Sequence, residues 1–136
     1  MNADVAPKSA TQRAVVAWLP AAAYMALIWV LSSMSHPPSM PDVPFRDKGI
    51  HFMEYGVLAA LIAHAFAWTR PSRRMLLIFG IAVVCATLFG LTDEIHQAFV
   101  PGRNSDPQDL LADGLGSLLG ACAYLVLLRL VVKRAR

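Results

Sequence analysis

The sequence predicts an all-α fold: a polytopic membrane protein, folded as a compact bundle of four transmembrane helices with both termini cytoplasmic. Three observations predict it. Of the 136 residues, 57% are hydrophobic and only 15% charged, against about 25% charged in soluble domains. Four apolar segments each reach or exceed the roughly 20 residues a helix needs to cross hydrocarbon. The charges also separate by sign onto alternate ends of those segments. Strands are excluded, because four cannot close a barrel and open edges leave unpaired amides in lipid.

Residues 1–13 read as a polar cytoplasmic tail. The first span runs from Ala14 to about Ser33. It is too long for a signal peptide and lacks a convincing small-x-small cleavage site, so it is expected to be retained. Pro37, Pro38, Pro41 and Pro44 then make a stiff, non-helical loop. The second span covers about Gly49 to Trp68, and Arg70–Pro71–Ser72–Arg73–Arg74 forms a short basic connection. The third begins at Met75 and runs to about Phe99, opening with an uncharged stretch up to Thr92. Pro101–Gly102 starts a turn in which Gly is free to take positive φ. The fourth span runs from about Asp109 to Val132, and residues 133–136 form a basic tail. The four-helix membrane domain is thus residues 14–132.

Orientation follows from the cations. Lys8, Arg13, Arg70, Arg73, Arg74, Arg129, Lys133, Arg134 and Arg136 fall on one side, which should be the cytoplasm. Asp42, Asp47, Glu54, Asp93, Glu94, Asp106, Asp109 and Asp113 fall on the other. This split argues against reading the net charge of +3 as affinity for nucleic acid. Trp18, Trp29 and Trp68 suit the membrane interface. Cys85 and Cys122 lie in apolar runs and read as small packing residues, with no disulfide or metal pattern.

Helical phase sharpens the acidic side. Asp47, His51, Glu54 and Tyr55 share a face at the start of the second span, with Lys48 beside them. Asp93, Glu94 and Gln97 share one at the end of the third, with His96 on its shoulder. Asp109, Asp113, Gly116 and Gly120 line the start of the fourth. Arg46, Lys48 and Arg103 are the cations available there. Asp47 and Asp109 also suit helix N-termini, and Arg103 suits an ion pair with Asp93 or Glu94. Asp113 lies a turn too deep for capping. A structural ion-pair network and a binding or catalytic site both predict paired charges. Gly116-x-x-x-Gly120 is a close-packing spacing; His36 and His64 read as packed or interfacial residues.

A metal is not the expected reading. His51, Glu54, His96 and Asp93 or Glu94 offer suitable ligand types, but no HExxH-type spacing is present and the ligands would have to converge from separate helices. No cofactor motif and no phosphate-cradling Gly loop is present, and no Ser or Cys stands beside a base in the acidic cluster. Acid/base candidates are His51, Asp93, Glu94 and Asp113.

The pattern Asp47–Lys48–x–x–His51–Phe52–x–Glu54–Tyr55–x–x–Leu58, then Asp93–Glu94–x–His96–Gln97–x–Phe99–x–Pro101–Gly102–Arg103, then Asp109 and Gly116-x-x-x-Gly120, resembles the VanZ-like family over roughly residues 14–130. Asp113 departs from that pattern, in which Asn is frequent. The resemblance implies a small multi-pass protein of the bacterial cytoplasmic membrane. It also implies an accessory role in antibiotic resistance, since the founding member lowers susceptibility to the glycopeptide teicoplanin. No reaction comes with the family.

Three functions compete. The first is recognition of an amphiphilic envelope component, a lipid-linked precursor or a lipoglycopeptide, by the polar outer face. Its ligand-binding set is Asp47, Lys48, His51, Glu54, Tyr55, Asp93, Glu94, His96, Gln97, Arg103, Asp109 and Asp113. The second is a membrane-embedded acid/base enzyme acting on a lipid-linked substrate. The third is a structural assembly subunit. Besides the bilayer, a second copy of the chain is a compatible partner.

Overall fold

A computed structural model describes residues 9–35, 46–69 and 74–134. They form four helices and no strand: α1 (Ala10–Ser32), α2 (Arg46–Thr69), α3 (Met75–Gln97) and α4 (Pro107–Arg134). Each is long and apolar enough to cross a membrane. At 1.5 Å per residue they extend about 34–42 Å. The proline-rich loop, with His36, lies outside the described residues.

The helix ends differ from the sequence reading for local reasons. α1 starts four residues before Ala14, because Ser9 and Gln12 form a capping box that satisfies the first-turn amides (Ser9 N to Gln12 Oε1 2.9 Å, Gln12 N to Ser9 Oγ 3.2 Å). α2 starts at Arg46, which puts Asp47 in its first turn rather than at the cap. α4 starts at Pro107, since Asp106 is an effective cap and proline at the first helical position loses no hydrogen bond.

The helix α2 is central: it packs against α1, α3 and α4, whereas α1 and α4 do not touch among the described residues. The tightest seam is α2–α4. A Cβ at Gly116 would run into the Phe52 carbonyl, and one at Gly120 into the Gly56 carbonyl. These glycines bring the two backbones together, which is how helices gain dispersion energy where lipid supplies no hydrophobic drive. The rest of the core follows the same rule, with Ala17, Ala21, Ala59, Ala63, Ala82, Ala86 and Ala121 buried between helices. Large apolar side chains such as Leu19, Leu76, Leu88, Leu119 and Val131 point outward, as lipid-facing surface should.

One expectation needs correction. Cys85 and Cys122 are not interior packing residues; both are exposed free thiols on the apolar outer surface. Trp68 is exposed as an interface residue would be, while Trp18 meets Phe66 edge-on at 4.9 Å.

Candidate functional site

At one end of the bundle, the start of α2, the end of α3 and the start of α4 carry polar side chains inward. Asp113 (0% exposed), Asp93 (1%), Asp109 (2%), Glu94 (4%) and His51 (6%) are all buried there. Four acids within one buried region of a membrane bundle are costly to desolvate.

The connections among them divide into three groups. The deepest is His51–Asp113: Nδ1 lies 3.0 Å from Asp113 Oδ1, linking α2 to α4. Gly90 on α3 makes room for this pair, since a Cβ there would collide with the Asp113 carboxylate. Tyr55, fully buried one turn beyond His51, lies with its ring nearly parallel to the imidazole at 6.2 Å.

The second group closes the mouth of the cluster. Lys48 Nζ donates to Asp106 Oδ2 at 2.8 Å and to Asp109 Oδ1 at 3.3 Å. Asp106 also accepts from the Gln108 amide at 2.9 Å, so one carboxylate caps α4 and anchors Lys48. The Lys48 ammonium, with the Gln108 amide, holds the Asp106 carboxyl below its usual range. Glu94 Oε2 accepts from the Asp106 amide at 2.9 Å and from Ser105 Oγ at 3.1 Å, which ties the end of α3 to the start of α4.

The third group belongs to α1 and the α3–α4 turn. Gly102 takes φ +82, the left-handed turn conformation expected of it. That turn delivers Arg103, which donates from Nη2 to the Leu31 carbonyl at 2.8 Å and from Nε to the Met34 carbonyl at 3.1 Å. Arg103 therefore satisfies carbonyls at the end of α1. It forms no ion pair with Asp93 or Glu94, contrary to the pairing considered from sequence. His96 also turns toward α1: its Nε2 lies 2.9 Å from Ser33 Oγ and its ring stacks on Trp29 at 4.2 Å.

Several polar atoms stay unsatisfied. Asp93 accepts from Gln97 Nε2 at 2.9 Å through Oδ2, but its Oδ1 is buried without a hydrogen-bond partner. Glu94 Oε1 and Asp113 Oδ2 likewise have no partner among the described residues, and the Tyr55 hydroxyl, without a hydrogen bond at standard distance, faces Asp93. Glu54 is half-buried on α2 in the same region.

The residues singled out from sequence are thus brought to one end, but with unequal roles. His51, Asp93, Glu94, Gln97, Asp109 and Asp113 form the interior, Lys48 and Asp47 the rim. His96 and Arg103 hold α1. The ligand-type residues that come together are Asp47, His51 and Asp109, not the His51, Glu54, His96 and Asp93 or Glu94 combination considered from sequence. Ser33, Gly90, Ser105 and the capping role of Asp106 were not anticipated. Asp106 had a signal: Asp directly before Pro at the start of an apolar helix is a capping signature.

With this geometry in hand, comparison with known proteins decides the relationship. The VanZ/LLP1 family model matches residues 6–129, most of the chain. The chain belongs to the VanZ/LLP1 family. An uncharacterized protein of the fission yeast Schizosaccharomyces pombe is 28% identical over 115 residues, covering 85% of this chain and 65% of the relative. The chain thus spans a little under two-thirds of that relative's length. No solved structure matches. The matched residues include α2, α3, the α3–α4 turn and the polar half of α4, so the candidate site lies within the family region.

Proposed function

We propose that this VanZ/LLP1-family protein is a recognition module that holds the head group of an amphiphilic envelope component at the outer leaflet of the bacterial cytoplasmic membrane. The supporting observation is the set of buried carboxylate oxygens without partners, on Asp93, Glu94 and Asp113. An unsatisfied polar group costs several kcal/mol in a membrane interior, and intramembrane acids are retained where they serve a ligand or ion path. Carboxyl oxygens open to accept hydrogen bonds suit a donor-rich head group, such as sugar hydroxyls or an amine. The apolar spans would hold the tail. The positive-inside distribution supports an outer address for this end. The resemblance to a teicoplanin-resistance factor adds a lipoglycopeptide as the first ligand to try.

The His51–Asp113 pair favours the runner-up, an acid/base enzyme acting on a lipid-linked substrate: a carboxylate on one imidazole nitrogen orients the other for proton transfer. One experiment addresses both. Protein in lipid nanodiscs is titrated with teicoplanin and with its deacylated counterpart, and the lipids are then analysed by mass spectrometry. Recognition predicts preference for the acylated compound and at least tenfold weaker binding in Glu94→Gln or Asp93→Asn. Equal binding by the variants overturns that reading, and a modified lipid product replaces it with the enzyme.

A further inference from the structure

We propose a divalent transition-metal site formed by Asp47 and His51 of α2 and Asp109 of α4. The three residues each present a ligand atom, and those atoms all lie within 4.8 Å of one another. Donors on one Zn²⁺ or Mn²⁺ sit roughly 3–4 Å apart, given metal–ligand bonds of about 2.1 Å. Closing the set therefore takes an adjustment of about an ångström, within reach of side-chain rotation.

The backbone explains the convergence. Asp47 and His51 are four residues apart in α2 and so lie on one face. The glycine seam presses that face against α4, whose first turn carries Asp109. Separate helices thus supply what no single-helix motif in the sequence does.

Two independent features point to a ligand rather than to a chance grouping of acids. Asp113 hydrogen-bonds His51 Nδ1 at 3.0 Å, the carboxylate–histidine arrangement that fixes the ring and leaves Nε2 as the ligating nitrogen of a metal site. Glu94, near the end of α3, keeps its Oε1 buried without a partner. Lys48 does not close the site: it is nearer Asp106 than Asp109 (2.8 against 3.3 Å), so it keeps a partner when Asp109 turns to a cation. Asp47 is exposed, which gives an ion a way in. One imidazole with carboxylates suits Zn²⁺ or Mn²⁺ better than Mg²⁺ or Ca²⁺, which prefer oxygen alone. The site stands on protein ligands only and does not depend on the head-group reading.

The test uses full-length, tag-free protein in nanodiscs, stripped with chelator and titrated with Zn²⁺ and Mn²⁺ by calorimetry and, for Mn²⁺, electron paramagnetic resonance. One ion per chain is expected. Asp47→Asn, on an exposed residue, should weaken binding at least tenfold, and His51→Gln should do the same. Asp113→Asn should weaken it roughly 10–100-fold through the orientation of His51, and His64→Ala, at the other end of α2, should leave it unchanged. Absence of stoichiometric binding by the wild-type protein overturns the site. So does equal affinity in folded Asp47→Asn and wild type.

Discussion

Two histidines join α2 to α4, and they could hardly be placed more differently. His51 meets Asp113 at 3.0 Å inside a cluster of buried acids. His64, near the far end of the same helix, meets the Tyr124 hydroxyl at 3.2 Å among Trp68 and the Tyr124 ring. The second pair is a single hydrogen bond with aromatic neighbours. The first leaves carboxylate oxygens unsatisfied on both flanking helices. The two helices and the histidine are shared; the partner, Asp113 or Tyr124, and its neighbours make one end of the bundle a candidate site and the other a seam.

Breaking the first pair should have the largest effect. Asp113→Ala strands a buried His51, and removal of one partner of a buried charged pair costs about 3–5 kcal/mol; thermal unfolding in nanodiscs should show it as the largest fall of the set. Gly120→Ala tests whether the seam beneath both pairs sets their geometry. Its Cβ would press on the Gly56 carbonyl, so a loss of about 1–3 kcal/mol from overpacking is expected in the same assay. His64→Phe should cost far less, about 0.6 kcal/mol, the average for interhelical hydrogen bonds in a membrane. An effect as large as that of Asp113→Ala would erase the contrast between the two ends.

The smallest effect is local and pH-dependent. Asp106 titrates below its usual range because Lys48 and the Gln108 amide favour its charged form. Its contribution is therefore present above about pH 4 and is lost as pH falls through the lowered folded value. Amide exchange in the first turn of α4 should rise in that window, and Asp106→Asn should flatten the response.

Much of this arrangement was legible in the sequence. Four apolar runs gave the four helices, and helical phase aimed Asp113, Glu94 and His51 at a common end. The Gly116 and Gly120 spacing gave the seam. What sequence could not give was the choice among partners. Arg103 had Asp93 and Glu94 as formal counter-ions, yet the Gly102 turn sends it to the α1 carbonyls. His96 shares a helix with the acids, yet its place on the shoulder of α3 gives it to Ser33 and Trp29. Both outcomes depend on where α1 packs, and α1 carries no charged residue after Arg13 to announce that contact. The grouping of Asp47 with Asp109 likewise needed the distance between two helices.

The central claim is that the buried Asp93 carboxylate is kept for a ligand and is not what holds the bundle together. Thermal unfolding of the double variant Asp93→Leu/Gln97→Leu in nanodiscs tests it most directly, because this replaces a buried polar pair, one oxygen of which has no partner, with apolar residues. Replacement of buried charge by well-packed apolar side chains is neutral or stabilising where the charge serves no structural purpose. An unchanged or raised midpoint, with head-group binding lost, is the predicted result; a midpoint lowered as far as in Asp113→Ala would contradict it.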